Sequence, residues 1–289
     1  MNKNRPTLVF IIPSLLFFLF IKIIPVLITF GYSFTNWNGY QWKADFVGME
    51  NYIKLFQDDT TVNSIKTSLL FVLITVSIIN ILALFFAVVL NESGRYTNLY
   101  RSIIFLPVVI SNVAIAYVWK VMYSYNGVLD MLFNFIGLAK GHVPWLESPD
   151  LALFAVCAVS IWKTVGFHMV ILLAFLKTIP VELYEAALID GCNALQKFKN
   201  ITLPLLVPGL SISIALSTIG NMKQYDLVSV MTNGGPVNAT QILSLQIVNE
   251  GFRYSQNGYA AAISFVLFLI ILIIVIIQNM ALKKKEVEY

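Results

Sequence analysis

Of 289 residues, 58% are hydrophobic and 12% charged, with a mean hydropathy of +0.79, whereas soluble domains run at about 45–50% apolar and about 25% charged. A water-soluble fold is excluded, because so much apolar surface has no interior large enough to hold it, and a bilayer is the apolar solvent that remains. The net charge of +4 does not indicate nucleic acid, since membrane topology accounts for the basic residues.

Six apolar runs are long enough to cross a hydrocarbon core of roughly 30 Å, which takes about 20 helical residues. In chain order they are Leu8–Phe34, Leu69–Leu90, Ile103–Met122, Leu151–Leu176, Leu205–Met231 and Ala260–Leu282. Each must be helical, because a segment in lipid has to satisfy its own backbone hydrogen bonds; the runs are continuous, not alternating, which excludes barrel strands. The first exceeds the h-region of a signal peptide and has no small-x-small site after it. It is expected to be a retained helix, bent near Pro25. The predicted fold is therefore an all-α membrane protein with six transmembrane helices.

Orientation follows from lysine and arginine. With the N-terminus inside, ten fall in cytosolic segments: Lys3, Arg5, Arg95, Arg101, Lys177, Lys197, Lys199, Lys283, Lys284 and Lys285. Five fall outside: Lys43, Lys54, Lys66, Lys140 and Arg253. Both termini are expected in the cytosol, and Lys283–Lys285 should anchor the last span at the headgroups. Lys22 and Lys120, at span edges, are expected to snorkel toward an interface. The external segments comprise 35–65, with Trp37 and Trp42, then 123–150 and 232–259. Within 123–150, Val128–Ile136 reads as a short amphipathic interfacial helix with Trp145 as an anchor. A short cytosolic turn surrounds Ser93-Gly94. Cys157 lies in a span and Cys192 in a cytosolic loop, so no disulfide is expected, and neither has metal-ligand spacing.

The longest cytosolic loop, 177–204, carries the most specific pattern. Pro180 suits the first position of a helix. Glu182 and Glu185 suit its electropositive start, Ala186 and Ala187 favour helix with little bulk, and Gly191 suits its stop. A second short helix is expected to run through Phe198 and end at Pro204. Glu185-Ala-Ala-x-x-Asp190-Gly191, followed by Phe198, Ile201, Pro204 and Pro208, resembles the EAA motif of binding-protein-dependent ABC transporter permeases. The visible departure is Cys192, where that family more often has alanine. The resemblance continues through Phe105-Leu106-Pro107, through Thr232-x-Gly234-Gly235-Pro236-x-x-Ala239-Thr240, and through Gly258-Tyr259-Ala260-Ala261-Ala262. It covers most of the chain from about residue 65 and looks like the maltose-type carbohydrate branch.

The resemblance implies a type I ABC importer permease fold in the bacterial cell membrane. It implies three parts: residues 1–64 as a first helix and external segment, 65–282 as the permease domain, and 283–289 as a basic tail. It also implies an ATPase-coupling helix built on Glu182, Glu185, Ala186, Ala187, Asp190 and Gly191. The implied partners are a second homologous permease, two cytosolic ATPase subunits and an extracytoplasmic solute-binding protein. Magnesium-ATP would be hydrolysed by the partner ATPase, with no cofactor, metal or catalytic residue in this chain. The sequence agrees on that point, having no Gly-x-x-x-x-Gly-Lys-Ser/Thr loop and no His-Glu-x-x-His.

Polar residues within spans are costly and face the bundle interior or water. Ser160, Lys163, Thr164 and Phe167 recur at i, i+3, i+4 and i+7 of the fourth run, one face of a helix. Ser217, Asn221 and Gln224 recur similarly in the fifth. Amides, an ammonium and an aromatic ring suit a sugar's hydroxyls and its C–H face, and the resemblance places a sugar site on these spans, with Asn112 and Tyr117 of the third run as further candidates and Tyr225 and Asp226 nearby toward the external end. Ser160 and Thr164 equally suit hydrogen bonds between helices. His168 reads as a packing residue, and Asp226 is expected to pair with Lys223 three residues earlier. Glycerol 3-phosphate is the alternative solute, although a phosphate calls for convergent arginines. An ion-coupled transporter would need intramembrane carboxylates, and Asp226 is the one acidic residue well inside a run.

Overall fold

The computed structural model describes residues 5–41, 43–92 and 94–283, with side chains described from Ile11 onward. The expectations for Lys3, Trp42, Ser93, Lys284 and Lys285, and for the side chain of Arg5, lie outside the described residues. The described chain is helical with one isolated bridge, Thr35 to Phe46.

Four unbroken apolar segments are long enough to cross a membrane: Ile11–Tyr32, Asp59–Val89, Pro149–Leu176 and Asn257–Lys283. Two further segments are helix pairs, bent by 98° between Thr97–Val109 and Asn112–Met122, and by 65° between Ala194–Leu205 and Val207–Met222. With each bent pair counted as one span there are six, the number expected, but the fifth differs in bounds: its pair starts at Ala194, inside the expected loop, and ends at Met222, and the rest of the expected run to Met231 lies in a separate short helix. The third and fifth are broken, which the hydropathy runs did not reveal.

The helices are α1 (Arg5–Phe18), α2 (Ile24–Tyr32), α3 (Glu50–Gln57), α4 (Asp59–Val89), α5 (Thr97–Val109), α6 (Asn112–Met122), α7 (Val128–Phe135) and α8 (Pro149–Leu176). They continue with α9 (Val181–Ile189), α10 (Ala194–Lys197), α11 (Leu203–Leu205), α12 (Val207–Met222), α13 (Asp226–Met231), α14 (Leu243–Val248) and α15 (Asn257–Lys283). Proline explains the irregularities, since it lacks an N–H and its ring crowds the carbonyl four residues earlier. The first span, expected to bend near Pro25, runs unbroken over Ile11–Tyr32, with a π turn at Leu19–Ile23 ending two residues before Pro25. Pro107 lies in the last turn of α5, and Ile110 and Ser111 are extended before α6 begins. Pro204 does not end the second loop helix as expected. It enters the first turn of α11 after the π turn Phe198–Thr202, and the break falls at Leu206, ahead of Pro208.

The chain divides into two compact units, one holding residues up to Val62 with Gln246–Leu269, the other Asn63–Leu245 with the chain from Ile270 onward. In the first, the segment after α2 folds back on polar contacts. Asn51 donates to the carbonyls of Ser33 (2.8 Å) and Thr35 (2.9 Å), and the Gly258 N–H donates to the Trp37 carbonyl at 2.8 Å. A Cβ on Gly258 would collide with the Thr35 carbonyl, which explains glycine in the Gly258–Ala262 pattern. Burial works to raise the Asp58 carboxyl, but hydrogen bonds from Thr61, the Thr60 N–H and Tyr259 outweigh it and hold the group below its ordinary value.

In the second unit α8 is the central post. It packs against α5, α12 and α13, and Val165, Met169, Leu172, Leu173 and Leu176 join Ala83, Ala87 and Leu206 in one buried cluster. Gly166 lets α5 approach closely: a Cβ there would lie 2.8 Å from Phe105 Cα and 2.9 Å from the Ile104 carbonyl carbon.

Candidate functional site: a polar cavity and an exposed loop helix

Helix α9 forms because Pro180 precedes it in an extended conformation and its residues are good helix formers; Pro180 is the cap and not the first helical residue as expected. Gly191 ends it at φ +77°, a conformation that disfavours residues with a Cβ. The Gly191 N–H donates to the Leu188 carbonyl (3.1 Å) and the Cys192 N–H to the Ala187 carbonyl (2.9 Å), which is a Schellman closure. Asn193 then caps the next helix, exchanging bonds of 2.9 Å and 2.8 Å with Gln196. This capping box was readable from Asn193 and Gln196 but not anticipated. Tyr184 Oη lies 3.0 Å from Thr202 Oγ1, tying α9 to the segment before α12.

Glu182, Glu185, Ala186, Asp190 and Gly191 are exposed. Ala187, expected with Ala186 as a contact residue, is 6% exposed and packs into this chain. The loop also exposes apolar residues, Ile189 at the end of α9 at 88% and Leu195 in α10 at 73%.

The second feature is a cavity of about 310 Å³ between α8, α12 and the α5–α6 break. It is lined by Val108, Asn112, Ser160, Thr164, Phe167, His168, Leu216, Ser217, Gly220, Asn221 and Gln224. Six of the seven residues expected to contact solute come together here: Ser160, Thr164, Phe167, Ser217, Asn221 and Gln224. Lys163 does not. It points toward the break and donates from Nζ to the Val108 carbonyl at 3.3 Å, satisfying a backbone group that the interrupted helix frees. Tyr117 and Tyr225 are also not among the lining residues, while Asn112 is. Lys120 likewise reaches a carbonyl, that of Val230 at 3.2 Å.

The cavity wall is a hydrogen-bonded mesh. Ser160 donates to Asn221 Oδ1 (2.9 Å), Asn221 donates to the Ser217 carbonyl (2.8 Å), and Thr164 donates to the Ser160 carbonyl (2.7 Å). Asn80, from α4, donates to Ser217 Oγ at 3.0 Å and accepts from Ser213 at 2.6 Å. Ser160 and Asn221 thus bond between helices and also line the cavity, whereas the Thr164 hydroxyl bonds back within α8. The Gln224 side-chain amide makes no hydrogen bond among the described residues. Asp226 does not pair with Lys223: α12 ends at Met222 and α13 begins at Asp226, so the two do not share a helix, and Asp226 accepts from Asn112 at 3.1 Å. His168, expected to pack, lines the cavity. Its signal was its spacing, four residues beyond Thr164 and eight beyond Ser160.

In 124–147, Asp130 is 2% exposed. It accepts from the Asn126 N–H (3.1 Å), the Val143 N–H (3.2 Å) and Trp145 Nε1 (3.1 Å), and pairs with His142 Nδ1 at 2.5 Å. Burial works to raise its carboxyl, but the bonds from His142, Val143 and Trp145 and the charge of His142 outweigh it and hold it below the ordinary range. Trp145, expected as an interfacial anchor, is held by this carboxylate.

Long apolar helices, two of them broken beside a polar cavity, define a multi-pass membrane protein. Residues 79–286 match the binding-protein-dependent transport system inner membrane component family. The chain belongs to that family, which is a family of inner membrane proteins. It is 35% identical over 263 residues to the trehalose/maltose transport system permease protein MalF of Thermococcus litoralis, covering 91% of this chain and 88% of the relative. It is 31% identical over 281 residues to a probable starch degradation products transport system permease protein, AmyD, of Thermoanaerobacterium thermosulfurigenes, covering 96% and 94%. The fold is similar to that of a chain in a bacterial ABC transporter involved in import of the acidic polysaccharide alginate, with a TM-score of 0.80 at 22% identity, covering 98% and 96%.

Proposed function

We propose that this chain forms one half of the translocation pathway of an ATP-driven importer for a neutral sugar, receiving solute from an extracytoplasmic binding protein. A second permease supplies the other half, and both chain termini lie in the cytosol. Two separate ATPase subunits hydrolyse magnesium-ATP, and α9 seats on one of them. Glu182 and Glu185 face the ATPase beside Ala186, while Gly191 sets the turn that holds the helix rigid enough to transmit force. Ala187 acts from inside, as part of the helix's seat on its own chain.

The observation that carries the sugar reading is the cavity lining. It offers amides, hydroxyls and the Phe167 ring, and no lysine, arginine or carboxylate. A phosphate ester would call for arginine, so glycerol 3-phosphate fits less well, and coupling ions would call for carboxylates. The relatives named for trehalose/maltose and for starch degradation products support the same class of solute. The coupling role is tested by Glu185→Ala in the assembled complex. Uptake and ATPase co-purification should both fall while membrane insertion is unchanged; full transport by that variant would rule the role out.

A further inference from the structure

We infer that His168 presents a fixed, unprotonated Nε2 to the cavity, where it accepts a hydrogen bond from one solute hydroxyl. The inference rests on the reading of the cavity as the solute pathway.

The protonation pattern follows from a chain of partners that begins on α4. Asn80 Nδ2 donates to the Val76 carbonyl at 2.8 Å. A carbonyl only accepts, so this contact fixes which end of the amide is nitrogen. Oδ1 of Asn80 must then be the acceptor for Ser213, whose hydroxyl lies 2.6 Å away. A serine has one proton to give. With that proton committed to Asn80, Ser213 Oγ can only accept from His168 Nδ1, 3.0 Å away. In the neutral ring one nitrogen donates and the other accepts, so a proton on Nδ1 leaves Nε2 with a free lone pair.

Nε2 is also accessible. His168 is 4% exposed, and Nε2 makes no hydrogen bond among the described residues. Yet the one sealed side-chain polar atom without a partner among them is Asn249 Oδ1. Nε2 is therefore not sealed, and His168 is one of the residues that line the cavity. Three helices, α4, α12 and α8, hold the tautomer through Asn80, Ser213 and His168. A built acceptor of this kind discriminates sharply, because a ligand without the matching hydroxyl leaves it unpaired.

The test uses the complete complex, with its second permease, ATPase and binding protein, and probes it with trehalose, maltose and their monodeoxy analogues. His168→Asn keeps an N–H near the Nδ1 position but has no atom at Nε2. His168→Gln places an amide oxygen near Nε2. Wild type should lose about tenfold in transport of one monodeoxy analogue, the factor that one ordinary hydrogen bond corresponds to. His168→Asn should lose about the same on the parent sugar and no longer distinguish that analogue, while His168→Gln recovers most of the loss. Nitrogen NMR of labelled histidine should show a protonated Nδ1 and a bare Nε2, with mixed tautomers in Ser213→Ala. A proton on Nε2, or wild-type discrimination by His168→Asn, would overturn the inference. If wild type imports neither disaccharide, the assignment of sugar solutes fails instead, and the nitrogen spectrum still decides whether the acceptor exists.

Discussion

Adding one methyl group at Gly166 should disrupt the contact on which the third span rests. Its new Cβ would lie 2.8 Å from Phe105 Cα and 2.9 Å from the Ile104 carbonyl carbon, and would overlap the Ile104 carbonyl oxygen. Carbon atoms pack at about 3.5–4.0 Å, so α5 and α8 must separate by close to 1 Å. The obstructing atoms are backbone, and no rotamer change can relieve them. Overpacking of this kind costs about 1–3 kcal/mol. The separation would also lengthen the bond from Lys163 to the Val108 carbonyl, which is already 3.3 Å, and so loosen the broken corner beside the cavity. Gly209→Ala is the control. Its Cβ would meet Phe175 Cγ and Cδ2 at 2.6 and 2.8 Å, which a rotamer change can move, and Phe175 Cβ at 2.9 Å, which needs a small shift, but no backbone atom is among these nearest contacts. Thermal unfolding of the purified complex should show a clear loss for Gly166→Ala and a smaller one for Gly209→Ala. Equal stability of Gly166→Ala and wild type would mean that the two helices do not cross at this distance.

Three further outcomes are expected. Gly191→Ala meets no atom within 4 Å but must hold φ near +77°, at a cost of about 1–2 kcal/mol; uptake should fall with the protein still inserted, and Gly191→Asn, which tolerates that conformation, should transport better. Gln224→Leu should change uptake kinetics or sugar preference with ATPase assembly intact, since its amide bonds nothing else among the described residues, and unchanged kinetics would remove it from the pathway. The Asp130 carboxyl is held below its ordinary value, so its contribution to stability is complete above the unfolded carboxyl's pKa and is lost as pH falls through the lower folded one. Trp145 emission should shift across that acidic window in wild type, and Asp130→Asn should flatten the response.

The spans were legible because lipid leaves a helix no alternative, and hydropathy records that constraint residue by residue. Their breaks were not, because hydropathy does not see direction: Ile110 and Ser111 turn the chain through 98° inside an apolar run, and only Pro107 hints at it. The cavity-lining face was mostly legible from helical spacing. Lys163 shares that spacing but not the cavity, because its amine answers a carbonyl left free where α5 ends. His168 satisfied the spacing as well. It was set aside because an isolated histidine usually packs, and its partners Ser213 and Asn80 lie 45 and 88 residues away in the chain. The two alanines of the loop helix read alike in sequence, and the packing of α9 on its own chain separates them.

The most direct measurement is ATP-dependent saccharide uptake into proteoliposomes holding this chain, its partner permease and the ATPase, with the binding protein added outside. ATP hydrolysis should rise when the binding protein carries its sugar, and uptake should cease when Glu185→Ala uncouples α9. Uptake that persists without the ATPase, driven by an ion gradient alone, would contradict the account.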